Sequence, residues 1–196
     1  MARVSDPIWR FTSSPSSSTP ANRYYVLGAT AATPAHRAAA VAVVITDVRL
    51  PQYLERSQIV LRGGDHRLQI SEYDLWAGSL REDMTRVLAV NLGRLLESER
   101  VIAAPNNLRL KPDYRVEVEV LRFERESGGR VVLQARWWLL RGSDAALVAS
   151  STETLSGAPL GDNAPYDAVV ASMSAVCGEL ANAIARSIRA VGDRNS

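Results

Sequence analysis

Few side chains in this sequence stand where bond-making chemistry would need them. Its two histidines, His36 and His66, fall in a loop and beside a turn. Neither has a cysteine, a second histidine or a carboxylate at metal-ligand spacing, so both read as surface or turn residues and no metal site is expected. The one cysteine, Cys177, lies on the apolar face of a helical pattern. A buried, inert thiol is expected there, because reactive thiolates need electropositive, accessible surroundings. Adjacent carboxylates occur as Glu72 with Asp74 and Glu82 with Asp83. At the start of a helix they favour its positive end, and further in they are simply solvated. Glu117 and Glu119 share one face of a strand about 7 Å apart, beside Arg115, and can pair across the sheet. The chain has no G-x-S-x-G elbow, P-loop or G-x-G-x-x-G fingerprint, and "LRGGDH" lacks the Lys and Ser of a phosphate loop. The titratable cluster of an active site is missing, so no catalytic residue and no cofactor is expected.

Two aromatic and arginine groupings rise above this background. Tyr53, Arg56, Gln58 and Trp76 flank a buried strand and a helix start, and are expected to gather at one end of the sheet as a partner interface. Trp, Tyr and Arg are the residue types that dominate protein interfaces, although Trp76 also fits a core position. The second grouping is Trp137-Trp138. Consecutive strand residues face opposite ways, so one enters the core and the other, Trp138, is covered by a helix or by a partner.

The elements that must position these residues follow from periodicity. Residues 12–22, "TSSPSSSTPAN", cannot offset their ordering entropy, so residues 1–22 read as a flexible tether before a single domain over 23–192. Short strands are expected at 23–27 and, nearly continuous and doubly buried, at 38–48. Pro51 ends the latter. "YLERSQIVLR" (53–62) then passes through a turn into a strand, and Gly63-Gly64-Asp65 returns the chain into "HRLQIS". Apolar residues at helical spacing predict a long helix over 72–98, with Ser71 and Asp74 as its cap. "RVIAAP" is a short strand stopped by Pro105. "YRVEVEVLRF" alternates with one wet face, and "VVLQARWWLLR" (131–141) and "ALVASSTETL" (146–155) follow it. A final helix runs from Tyr166 to a stop at Gly192. The order β-β-β-β-α-β-β-β-β-α implies an α/β fold with a mixed sheet covered by two long helices.

The bulk numbers fit one soluble domain. The chain has 196 residues with 23 basic and 21 acidic side chains, a net charge of +2. That balance gives no nucleic-acid signal. A single cysteine excludes an intramolecular disulfide and leaves the compartment open. The longest strongly apolar run, Ala38 to Ile45, is too short to span a bilayer.

Taken in order, "RYYVLG", "LPQYLERSQIVLR", "WAGSLREDMTRVLAVNLGRLL", "PDYRVEVEVLRFE", "VVLQARWWLLR" and "YDAVVASMSAVCGELANAIA" closely resemble the ABC-type transport auxiliary lipoprotein family, the PqiC-like lipoproteins. The resemblance covers about Arg23 to Arg189, and the Tyr-Leu-x-Arg-x-Gln-Ile-Val segment and the Trp-Ala-x-x-Leu start carry most of it. It implies a three-layer α/β sandwich similar to the TolB amino-terminal domain. It further implies a non-catalytic periplasmic domain, tethered by a lipidated N-terminal Cys, usually to the outer membrane. Its partners would be an MCE-domain protein and its permease in a system, such as Pqi, that moves lipids or other hydrophobic compounds between membranes. A homo-oligomer is also compatible. The alternative reading is a periplasmic module that itself holds a hydrophobic ligand between sheet and helix. Phe11 stands where the lipid-accepting Cys would be, and residues 1–11 are expected to replace the signal and anchor.

Overall fold

The computed structural model describes residues 21–32, 41–105, 111–161 and 163–194. Most of the tether (residues 1–20), His36 and the first three residues of the strand expected from 38 lie outside them. The elements are β1 (Arg23–Tyr25), β2 (Val43–Arg49), a 3-10 turn (Gln52–Leu54), β3 (Gln58–Gly64), β4 (Arg67–Trp76), α1 (Leu80–Leu95), β5 (Val101–Ala103), β6 (Tyr114–Arg125), β7 (Val131–Arg141), β8 (Leu147–Ser156) and α2 (Tyr166–Arg194). This is the mixed α/β architecture expected, with eight strands in one sheet and two helices packed on it.

Strand β6 organises the sheet. On one side it pairs antiparallel with β7, which pairs antiparallel with β8. Along its other side β2 lies parallel to Tyr114–Glu119, and β3 meets it in parallel further on, Leu61 opposite Arg125. β2 and β3 are thus two lengths of strand laid end to end, broken by the 3-10 turn after Pro51. Proline cannot donate to a ladder, which suits it to such a break. β5 extends the sheet from β2, and β4 and then β1 extend it from β3.

Both helices contact each other and share one face of the sheet, α1 over β2 and β5, α2 over β7, β8 and part of β6. Met84, Val87, Leu88 and Leu92 of α1 are buried, as are Met173, Val176, Leu180, Ile184 and Ile188 of α2. Each such side chain contributes about 1.5–3 kcal/mol when removed from water. That outweighs the cost of about 1 kcal/mol for Gly178 in mid-helix. The glycine has a packing reason, because a Cβ there would sit 2.1 Å from the Thr30 hydroxyl. Helix α2 is long and apolar enough to cross a membrane, yet most of its apolar stretch is buried in this core.

The opposite face of β2, β6, β7 and β8 is open. Arg115, Arg136, Ser150, Thr152 and Thr154 are exposed on it. Accordingly β2 alternates buried and half-buried residues and is not doubly buried as its apolar run implied.

The helix expected over 72–98 is divided. Residues through Trp76 belong to β4, and α1 begins at Leu80 with Ser79 as its cap, accepting from the Glu82 amide at 3.4 Å. The expected Ser71–Asp74 hydrogen bond does form, the Asp74 amide donating to Ser71 Oγ at 2.9 Å. It sits inside an irregular stretch of β4, between Ile70 opposite Val60 and Leu75 opposite Gln58. Pairing with β1 and β3 decides the outcome there, and local helical spacing does not. At the far end of the chain α2 runs through Gly192 to Arg194, so this glycine does not stop the helix.

Candidate partner-docking site

The break between β2 and β3 is a corner built over a buried charge. Tyr53, in the 3-10 turn, donates its hydroxyl proton to Glu124 Oε2 at 2.7 Å. Arg62 on β3 donates to Oε1 at 2.8 Å, and Arg122 on β6 donates to the same oxygen at 3.1 Å. The Phe123 amide donates to Oε2 at 3.1 Å. Glu124 is fully buried. Burial alone would raise its carboxyl, but the bonds from Tyr53, Arg62 and Arg122 together hold it below the usual glutamate value. Burial, with the negative charge of Glu124 beside it, pushes the Tyr53 phenol well above its ordinary range, so it remains a donor. Arg122 reaches on to Glu126 at 2.6 Å, and Glu55 of the corner pairs with Arg81 in the first turn of α1.

A second buried carboxylate ties the other end of β4. Asp74 accepts from Arg23 Nε at 2.7 Å, Arg23 Nη2 at 2.9 Å, Tyr25 at 3.1 Å and Ser71 Oγ at 2.8 Å. Burial opposes ionisation, but these donors keep the carboxyl below its ordinary value. Asp74 is therefore a strand clamp and not a helix-start acid.

The sequence-derived interface residues fall into three environments. Arg56 is exposed and, among the described residues, makes no ion pair or hydrogen bond; it lines a cavity of about 280 Å³ with Leu50, Leu54, Ser57, Ser79 and Arg81. Gln58 is half-buried opposite Leu75. Trp76 is buried, its amide donating to Ser57 O at 2.6 Å, and it lines a separate cleft with Tyr25 and Val26 across the Gly78–Leu80 segment. Tyr53 faces inward to Glu124. Trp138 belongs to the open sheet face, half-buried between two guanidiniums, Arg49 at 5.6 Å and Arg136 at 5.9 Å from its ring centre. Its neighbour Trp137 enters the core. The structure thus brings Tyr53, Arg56, Gln58 and Trp76 to one end of the sheet while exposing Arg56 alone fully, and it holds Trp138 apart from them.

Sequence reasoning missed Glu124, Arg62 and Arg122. A signal existed: Val120 and Phe123 are both core residues three apart, so the alternation of β6 must change phase. The register with β7 shifts between Val120 and Arg122. Elsewhere the chemistry is sparse. Cys177 is fully buried, and desolvation, then the charge of Asp83, pushes its thiol far up. His66 is exposed at the β3–β4 turn. Among the described residues no three His, Cys, Asp or Glu side chains are placed to hold a metal.

The family model for ABC-type transport auxiliary lipoprotein components matches residues 25–185. The chain belongs to that family. It is a family of auxiliary lipoproteins of ABC-type transport, not a known enzyme family, and lipoproteins of this kind are associated with the cell envelope. The crystal structure of protein XCC0632 from Xanthomonas campestris, of the family DUF330, is similar in fold: 17% identity, 88% of this chain and 98% of that one covered, TM-score 0.70. That of an uncharacterized protein shares 22% identity over 86% of this chain and 99% of its own, with a TM-score of 0.69. A comparison with curated proteins gives no match. In this auxiliary lipoprotein the acids and arginines of the corner are engaged with one another, which leaves Arg56 as its free cation among the described residues.

Proposed function

We propose that this chain is a non-catalytic auxiliary lipoprotein of an MCE-type transport system that moves lipids or other hydrophobic compounds across the Gram-negative envelope. In its native form it is a single domain held by an N-terminal tether and lipid at the outer membrane, facing the periplasm, where it meets an MCE-domain protein and its permease. The observation that carries this reading is the family match over residues 25–185. The placement of the polar groups supports it: the buried carboxylates serve the fold, while Arg56 and the Trp138 patch remain at the surface. The docking residues are Arg56, Gln58 and Trp138, with Tyr53 and Trp76 holding the corner behind them.

The test is affinity purification of the lipidated chain from envelopes, with bound proteins and lipids identified by mass spectrometry. An MCE-domain protein and its permease should co-purify, and Arg56→Glu with Trp138→Ala should release them. Recovery of an unrelated ABC permease would overturn the MCE assignment.

A second reading has its own observation. Ala89, Val90 and Gly93 of α1 face Val101, Ile102 and Ala103 across a groove of about 670 Å³, flanked by Arg86 and Arg94. That volume is within the ordinary range for small-molecule sites. If the chain itself carries a hydrophobic ligand, lipid should accompany the soluble domain, and Val90→Trp should exclude it.

A further inference from the structure

We propose that two copies of this chain join through strand β8, pairing edge to edge about a two-fold axis centred on Thr152. Among the described residues the sheet has three outer edges, and they differ sharply. β1 and β5 have three residues each, too few to template another chain. β8 has ten, about 33 Å of strand. Among the described residues it pairs only with β7. Proteins ordinarily blunt a long edge with lysine, proline or inward charges. The sequence "LVASSTETLS" contains no Lys, Arg or Pro and a single charge, Glu153. A wild-type edge so lightly protected, beside two short ones, fits a strand that is covered.

The occupant follows from the strand's own pattern. The ladder with β7 puts Ala149, Ser151, Glu153 and Leu155 opposite Leu139, Trp137, Ala135 and Leu133, on the helix-covered face. Ser150, Thr152 and Thr154 lie opposite Trp138, Arg136 and Gln134, on the open face. In a two-fold antiparallel pair, directly opposed residues share a face, so the centre must fall on a residue. Centring on Glu153 would oppose two carboxylates, which is destabilising. Centring on Ser151 would set Glu153 against Ala149. Centring on Thr152 sets Glu153 of each copy against Ser151 of the other, a donor for the carboxylate; within one chain Ser151 Oγ already donates to Glu153 Oε1 at 2.8 Å. The same register opposes Ala149 to Leu155 on the helix side, and Ser150 to Thr154 and Thr152 to itself on the open side. Charge, apolar contact and hydroxyl pairing therefore select one register, and that register needs a second copy of this strand and not an arbitrary peptide.

The pairing stands independently of the transport reading. The test uses the full chain in solution. Light scattering across a concentration series should show a dimer. Thr152→Cys should cross-link to itself under mild oxidation, because opposed residues lie about 4.5–5.5 Å apart between Cα atoms, within disulfide reach. Cys177, being buried, should not cross-link. Ser150→Cys alone should not cross-link, but mixed with Thr154→Cys it should. Thr152→Lys opposes two ammonium groups on the solvent face and should abolish the dimer while circular dichroism stays unchanged. A chain that is monomeric at every concentration, or a dimer in which Thr152→Cys fails to cross-link, overturns the proposal.

Discussion

Two clusters in this molecule have nearly the same composition and opposite fates. At the corner, Tyr53, Arg62 and Arg122 surround Glu124. On the open sheet face, Trp138 lies between Arg49 and Arg136, with Glu119 3.5 Å from Arg136. The corner carboxylate is sealed from water and takes four donors. The open-face acid and base are about a third and a half exposed, 35% and 48%. Covering is what separates them. The 3-10 turn folds Tyr53 over the far end of β6, whereas Trp138 stays half-buried beside its two arginines. A buried, fully bonded ion fixes one geometry because any partner removed leaves a charge stranded; an exposed pair is screened and contributes little.

The largest effect should come from Glu124→Ala, which takes the shared buried carboxylate from Arg62, Arg122 and Tyr53 and should cost about 3 kcal/mol. Urea denaturation measures it, and a loss under about 1 kcal/mol would make the corner no different from an exposed pair. Tyr53→Phe removes one hydrogen bond to a buried carboxylate and should cost about 2 kcal/mol. An unchanged unfolding midpoint would mean the turn is held by Leu54 and Pro51 without that bond.

Acid should separate the clusters as well. Glu124 and Asp74 are both held below their ordinary carboxylate values in the fold. A lowered folded value means the stabilisation is complete above the unfolded value, near about pH 4. It is lost as pH falls through the folded value. Stability of the native chain should therefore drop on acidification, and Glu124→Gln, already lacking the charge, should drop less steeply over the same interval. Midpoints measured across an acid pH series decide this, and parallel curves for the two proteins would remove Glu124 from the account. On the open face, Arg136→Ala should cost only about 0.5 kcal/mol by the same denaturation assay, and a cost matching Tyr53→Phe would erase the contrast.

Much of this was legible in the sequence. The strand and helix order, the limits of β7 at Val131 and Arg141, the start of α2 at Tyr166 and the inward-outward split of Trp137 and Trp138 follow from local periodicity. The ordered motifs also carried the family. Ser71 to Trp76 did not read correctly, because its cap-like bond is local while the pairing that makes it a strand comes from Arg23–Tyr25, about fifty residues away. Glu124 was harder still. Its burial depends on an extra residue in β6 that changes the face it occupies, and on Tyr53 arriving from 71 residues earlier in the chain.

The smallest effect on stability belongs to Arg56, and it is the most informative about docking. Tyr53 and Arg56 are three residues apart in one turn, yet the first is bonded inward and the second is exposed without a partner among the described residues. Arg56→Ala should therefore change stability by less than about 0.5 kcal/mol, as surface substitutions do. If the corner is where another envelope protein docks, the same substitution should reduce co-purification of that protein, since a buried interfacial arginine is a common anchor. Tyr53→Phe supplies the control: it loosens the corner from within and should lower unfolding stability before it lowers binding. Loss of stability from Arg56→Ala, or binding equal to the native chain at matched expression, would assign the exposed arginine no part in recognition.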